Sequence, residues 1–531
     1  MPGHKQTHLH VEENAEKGHS TAQAQDPTEA EREIYHQDGA ILVDLGAAHK
    51  GGQASALKTA SDGHTVLNPQ PSDDPLDPLN WSWWKKHSIL LTISVAAFIA
   101  DFQAGAAAPC IIAQGVEWKL SPDHVNYANN LNVLLVGIGG VVAIPFLYIW
   151  GRAPLMFWVV LSGAMFSLGC TLSQSFNVYY GMKAMQGFTL TIGQTSGLAF
   201  IHDMFFFHEQ ARKIGIWTAV FLASPYFGPL FANFILAGTG SWRAVYWLIF
   251  AICIFNLILI GLFLDETWYR RDIPTAGQPA RGNRLLRIVG IWQIRNHKNY
   301  FSTVKNSVTR LIVVFLKPDE ANVNDSLMSF MWSVGINQTS AILFATRKEA
   351  GGYGFSQNAV GFLFFSPIVA VLLGEVFGHF ANDWIALQYV RKHQGVFMAE
   401  TRLKPVFLAG AFMIPGLVLI GQSLHRHLHW TGIVFGWGMF VFGCMVASVA
   451  ITAYAVDSYP TAAGEVSALI NLFRLLGGFS VGYFQLTWGL KEGFDVSFGV
   501  QSAVVAAALV IIVFLYIYGA KMRRWAGPLT I

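Results

Sequence analysis

Charge is what this chain has least of. Only 13% of its 531 residues are Asp, Glu, Lys or Arg, against about 25% in a soluble chain, while 53% are hydrophobic. A water-soluble domain is excluded, and the composition is that of a polytopic membrane protein. Cysteine is scarce too: Cys110, Cys170, Cys253 and Cys444 lie in apolar runs with no C-x-x-C spacing, so neither a disulfide scaffold nor a zinc site is indicated. No G-x-x-x-x-G-K-[ST] phosphate loop exists, which argues against nucleotide-driven work, and the His202, Asp203, His208, Glu209 group lacks the H-E-x-x-H metal spacing. A net charge of +3, with its basic residues in short loops, offers nothing to nucleic acid. No nucleophile and base can be placed together, so the chain is not expected to be an enzyme, and no cofactor or metal is implied.

What is there is apolar length. Windows of about 20 residues, enough to cross a bilayer, occur near 88–111, 129–150, 154–174, 178–204, 214–237 and 243–264, then near 322–345, 357–381, 405–423, 431–455, 462–487 and 496–520. The expected fold is therefore an all-α membrane protein of twelve transmembrane helices in two six-helix bundles. The expected units are a disordered cytoplasmic tail (1–83), a first bundle (84–264), a central loop (265–320), a second bundle (321–520) and a short tail (521–531). Lys85, Lys86, Arg152, Arg212, Lys213, Arg270, Arg271, Arg391, Lys392, Arg402 and Lys404 crowd alternate loops, so the positive-inside rule puts both termini in the cytoplasm. In the central loop "RLLRIVGIWQIRNHK" (284–298), with Leu285, Ile288, Trp292 and Ile294 among basic residues, reads as a segment on the inner membrane surface.

Three motifs stand on this plan. "IPFLYIWGRAPLMFW" makes a tight basic turn at Gly151 and Arg152 before the third span. "YYGMKAMQGF" puts Lys183, Gln186 and Gly187 in the fourth, and "ASPYFGPLFANF" packs Pro225, Gly228 and Pro229 into the fifth, where they bend the helix and admit a close neighbour. Together they resemble the inner-loop, fourth-span basic and Gly-Pro motifs of the major facilitator superfamily. The chain has Tyr148 and Ile149 where that inner-loop motif usually has Asp and Arg. "DPLNW" (77–81), "SWRAVYW" (241–247), "DETWYRR" (265–271), "GVFMAETRL" (395–403) and "TAYAVDSYPTAAGEVSALINLFRLLGGFSVGYF" (452–484) resemble more narrowly the fungal drug:proton antiporter group, in a branch with yeast histidinol, cation and polyamine transporters. The resemblance implies a proton-coupled carrier of small organic molecules working as a monomer in the plasma membrane: efflux of drugs, toxins or secondary metabolites, or uptake of organic cations. A non-transporting receptor of the same architecture is the other reading.

Polar residues inside spans are costly, at about 2.5–3.5 kcal/mol for a charge on insertion scales. Asp101 shares a mostly small-residue helix face with Ser94, Ala97, Phe98, Ala104, Gly105 and Ala108, which reads as a cavity face. It is a candidate for the proton or for a cationic substrate group, or one half of a structural ion pair. Ser467, Asn471, Arg474 and Gly478 form one stripe of the eleventh span, and Arg474 is a substrate contact or a partner for Asp101 or Glu375. Glu375, one turn from His379, is a second proton candidate. Lys183, Gln186, Gln194, Asn337, Gln338 and Tyr454 complete the expected polar lining, and Gly151, Arg152, Pro225, Gly228 and Pro229 the gating set. Of the two Asn-x-Ser/Thr matches, Asn324 is expected on the cytoplasmic side and Asn337 within a span. Endoglycosidase treatment should therefore leave electrophoretic mobility unchanged; a glycan lost in Asn337→Gln would overturn the seventh span.

Overall fold

The computed structural model describes residues 41–42, 58–63, 65–315, 321–345, 353–393, 396–458 and 462–526. Among these, ten helices are long and apolar enough to cross a membrane. Two further helical segments stand where the fourth and seventh spans are expected: Phe176–Leu190 with Ile192–Met204, and Ala321–Ala345. They carry Lys183, Gln186 and Gln194, and Asn337, which lowers their hydropathy without removing them from the bundle. The other spans are Trp83–Gly105 (extended by the short helix Ile111–Trp118), Pro122–Ile149, Arg152–Leu172, Phe207–Thr239 and Trp242–Phe263 in the first half. The second half has Gln357–Leu363 with Phe365–Lys392, then Lys404–His425, Thr431–Ser458, Ala463–Glu492 and Phe494–Ala526.

Close helix approach is set by glycine. A Cβ on Gly228 of the fifth span would lie 2.4 Å from the Phe102 carbonyl oxygen of the first, and one on Gly105 would lie 2.5 Å from that of Pro225. The two backbones touch. Pro229 has no N–H for the Pro225 carbonyl one turn earlier. That orphaned acceptor instead takes a bond from Asn337 Nδ2 of the seventh span, 2.8 Å away, so a helix break in one bundle becomes a contact with the other. Ser224 Oγ similarly satisfies Phe221 O at 2.6 Å, the carbonyl that Pro225 leaves free.

The face bearing the central loop is built from ion pairs. Residues 58–82, expected to be disordered, are ordered where the structure describes them. Asp77 pairs with Arg271 at 3.0 Å and Lys86 Nζ donates to Leu79 O at 2.8 Å; Tyr269 Oη donates to Asp74 at 3.0 Å. Polar composition hid this because much of the order comes from charge pairing with "DETWYRR", joined by a few buried apolar residues such as Val66 and Leu79. The rest of the expected tail, including the His4, His8, His10 and His19 cluster, lies outside the described residues, save that Ile41–Leu42 pairs antiparallel with Val396–Phe397. The central loop carries three helices, Arg284–Val289, Ile291–Tyr300 and Val304–Phe315. Ile288 and Trp292 turn into the protein, whereas Leu285 and Ile294 stay exposed.

Asp265 is clasped by Arg287 at 2.9 Å and Lys85 at 2.8 Å. Burial alone would raise its pKa; these bonds outweigh burial and hold the carboxyl below the usual carboxylate range, as Arg271 does for Asp77. Their stabilisation is therefore complete above the unfolded-chain value, about 3.9, and is lost as pH falls through the lowered native values. Arg271→Ala strands the fully buried side chain of Asp77, a change that costs about 3–5 kcal/mol for a buried pair. Limited proteolysis should then cut within 65–82, where the native chain resists.

Candidate functional site

The two bundles meet around a central cavity of about 50 Å³, lined by Asp101, Ala104, Gly105 and Ala108 of the first span and by Tyr226, Ser333, Asn337, Met445 and Arg474 among others. The walls are otherwise Val, Leu, Phe and Cys. Asp101 is 6% exposed and Arg474 7%. Arg474 Nη2 donates to Asp101 Oδ2 at 2.8 Å and to Asn471 Oδ1 at 2.9 Å, with the Phe221 ring 5.3 Å from the guanidinium carbon. Asn471 Nδ2 continues to Thr191 Oγ1 at 3.3 Å and Ser467 Oγ to Gln194 O at 3.0 Å. The stripe of the eleventh span is thus a ladder of rungs reaching the first and fourth spans. The break at Thr191 between the two helices of the fourth span supplies one of its acceptors.

Other candidates lie elsewhere. Lys183 is fully buried but faces the inside of the first bundle, donating to Gln103 O at 2.9 Å, Gln103 Oε1 at 2.6 Å and Gln186 Oε1 at 3.1 Å. Gln186 Nε2 reaches Ser167 Oγ at 2.7 Å, and Asn132 bridges Gln103 to the Lys183 carbonyl. Neither Lys183 nor Gln186 lines the central cavity. Glu375 sits half-buried against Gly215 of the fifth span, where a Cβ would lie 2.6 Å from its Oε1, and its Oε2 has no hydrogen-bond partner among the described residues. Tyr454 is buried beside Gly519 and Glu400, away from the cavity. The side chains of Gln338 and His379 lie outside the described residues.

At the central-loop face Gly151, at φ +88°, lets Glu266 cap the third span: a Cβ there would be 2.4 Å from Glu266 Oε2. Glu266 accepts from the Arg152 and Ala153 amides at 3.2 and 3.3 Å, and Arg152 pairs with Asp203 at 3.0 Å. A lock between the bundles stands beside them. Tyr148 Oη donates to Glu465 Oε2 at 2.7 Å, and Arg310 of the last loop helix pairs with Glu465 Oε1 at 2.5 Å. The Glu465 side chain is fully buried. The sequence signalled Tyr148 only as a departure from an expected Asp, while its partner is 317 residues away.

These features define a class of protein: two helical bundles joined by a loop, closed around a small cavity at their seam. The chain belongs to the Major Facilitator Superfamily, whose family model matches residues 93–482. It is similar to an uncharacterized MFS-type transporter of Schizosaccharomyces pombe, 22% identical over 92% of this chain and 93% of that protein. It is also similar to the efflux pump radE of Floropilus chiversii, 22% identical over 85% and 83%. Among solved structures, the proton:xylose symporter XylE bound to 6-bromo-6-deoxy-D-glucose shares the fold at a TM-score of 0.61 and 12% identity, covering 82% of this chain and 96% of that one.

Asp101→Asn or Arg474→Gln alone leaves an unpaired polar or charged group at the seam, and each should destabilise the purified protein by about 3–5 kcal/mol. The double variant should recover at least half of that loss in thermal-unfolding assays. Additive losses would mean that the two side chains do not act as a pair.

Proposed function

We propose that this chain is a proton-coupled exporter of small organic molecules, working by alternating access in the plasma membrane as a monomer with both termini cytoplasmic. The carrying observation is the buried Asp101–Arg474 pair, one partner on each bundle, at the cavity where the bundles meet. The bundles cannot part there while the pair is intact, because separation would leave two bare charges in a poorly polarisable interior. A proton on Asp101 removes one charge and frees Arg474 from the carboxylate, leaving it on Asn471, to which it is already bonded. Proton uptake is thereby tied to opening, with Asp101 as acceptor and Arg474 as the group that restores the closed state.

The lining suits a largely apolar substrate that offers one or two acceptors to Asn337, Ser333 or Tyr226. The relatives called efflux pumps support export as the direction. The basic loops support placing the central-loop face in the cytoplasm, where Tyr148, Arg310 and Glu465 form the inner gate and Gly151, Arg152 and the Pro225–Pro229 bend act as its hinges. A cationic substrate, of the histidinol or polyamine kind, would displace Arg474 from Asp101 and is the natural competitor.

Flux of neutral metabolites, cationic drugs and polyamines in vesicles with an imposed pH gradient tests this reading. The native protein should move at least one neutral compound opposite to the imposed proton flow. Asp101→Asn should lose most of the gradient-driven flux, while substrate exchange without a gradient persists. Gradient-sensitive flux unchanged in the variant would remove Asp101 from the coupling and point to Glu375.

A further inference from the structure

Behind Arg474, on the side of the central-loop face, lies a second, separate chamber of about 30 Å³. It is lined by Gln194, Trp217, Phe221, Phe330, Ser448, Ile451, Thr452, Ser467, Ile470, Asn471 and Arg474. Phe330 and Arg474 line both spaces, so they form the partition. Both walls are mainly apolar, but the second chamber brings together the side chains of Gln194, Ser448, Thr452, Ser467, Asn471 and Arg474. Two buried atoms of its lining residues, Gln194 Oε1 and Trp217 Nε1, have no hydrogen-bond partner among the described residues. An unpaired buried acceptor or donor costs about 1–3 kcal/mol, and a polar void needs at least ~10–15 Å³ to hold a water.

We propose that this chamber is a hydration site for about two water molecules and that it carries the proton between Asp101 and the cytoplasm, while the substrate occupies only the apolar cavity across Arg474. This rests on the proton-coupled reading above and adds the route. The proton leaves the Asp101 carboxyl as excess charge on the chamber water, Arg474 re-engages the carboxylate, and the pair returns to zero net charge. The groups facing Asp101 fit such a hand-off: Arg474 from the eleventh span is the cation beside it, and Tyr226 from the fifth and Cys444 from the tenth are the other titratable liners of its cavity. At the far end Glu465 lies two residues before Ser467, held by Tyr148 and Arg310, so the lock that closes the bundles also closes the proton exit. Asp101 lines only the central cavity and Arg474 lines both spaces, so the proton crosses to the chamber as Arg474 moves off the carboxylate, and the substrate does not occupy the exit.

X-ray radiolytic footprinting in heavy-oxygen water reads bound water directly and needs no substrate. Trp217 should incorporate label well above Tyr246, which is similarly buried but lies outside both spaces. Ser448→Leu, which fills the chamber, should bring Trp217 down to the Tyr246 level and slow gradient-driven flux with substrate exchange retained. Thr452→Val, of nearly the same shape, should slow it less but in the same direction. Unlabelled Trp217 in the native protein, or full gradient-driven flux in a chamber-filled variant that has lost the label, overturns the route. Native vesicles without gradient dependence would instead overturn the coupled reading itself, so the two failures are told apart by which protein fails.

Discussion

Everything in this protein turns on the fact that a buried charge must have a partner and that the partner of Asp101 belongs to the other half of the molecule. In an interior of low polarisability, breaking such a pair by removing one member costs about 3–5 kcal/mol, which is a large fraction of the ~5–15 kcal/mol that holds a typical domain together. The bundles are free to separate only along a path on which that charge is cancelled or re-paired. The ladder of Ser467, Asn471 and Arg474 spreads the same constraint along the seam, and Tyr148 with Arg310 on Glu465 repeats it at the central-loop face.

Rigidity within each half complements this. Glycine contacts such as Gly105 and Gly228 bring backbones together, and the Lys183, Gln103, Gln186 and Asn132 network ties the spans of the first bundle by side chains that are mutually bonded. A bundle held this way moves as a unit, so that opening concentrates at the seam. The bend at Pro225 and Pro229 is an exception with a purpose: it leaves carbonyls that only a neighbour can satisfy, and Asn337 does so from the opposite bundle.

The span plan was legible in the sequence because each crossing needs an apolar run of fixed length. The Asp101–Arg474 pairing was legible as one of two options, since few groups can neutralise a carboxylate at that depth. Helix periodicity could not say which side of the fourth span faces its own bundle, and Lys183 and Gln186, expected at the cavity, bond inside the first half instead. Glu465 was hidden for a different reason: a charge at a span end reads as solvated, and its burial depends on Tyr148 and Arg310, both remote in sequence. The docked segment around Asp77 escaped notice because its order rests largely on ion pairs that composition does not reveal.

The most direct test of this account is the separation of the two bundles at the central-loop face as a function of pH. Spin labels at the exposed positions Asn283 and Lys392, one in the loop packed on the first bundle and one at the end of the eighth span, give that distance by pulsed electron resonance. Acidification should lengthen it in the native protein, and Asp101→Asn should give the long distance at every pH. A native distance that ignores pH, or a pH response that survives in Asp101→Asn, would contradict the claim that the charge on Asp101 holds the bundles together.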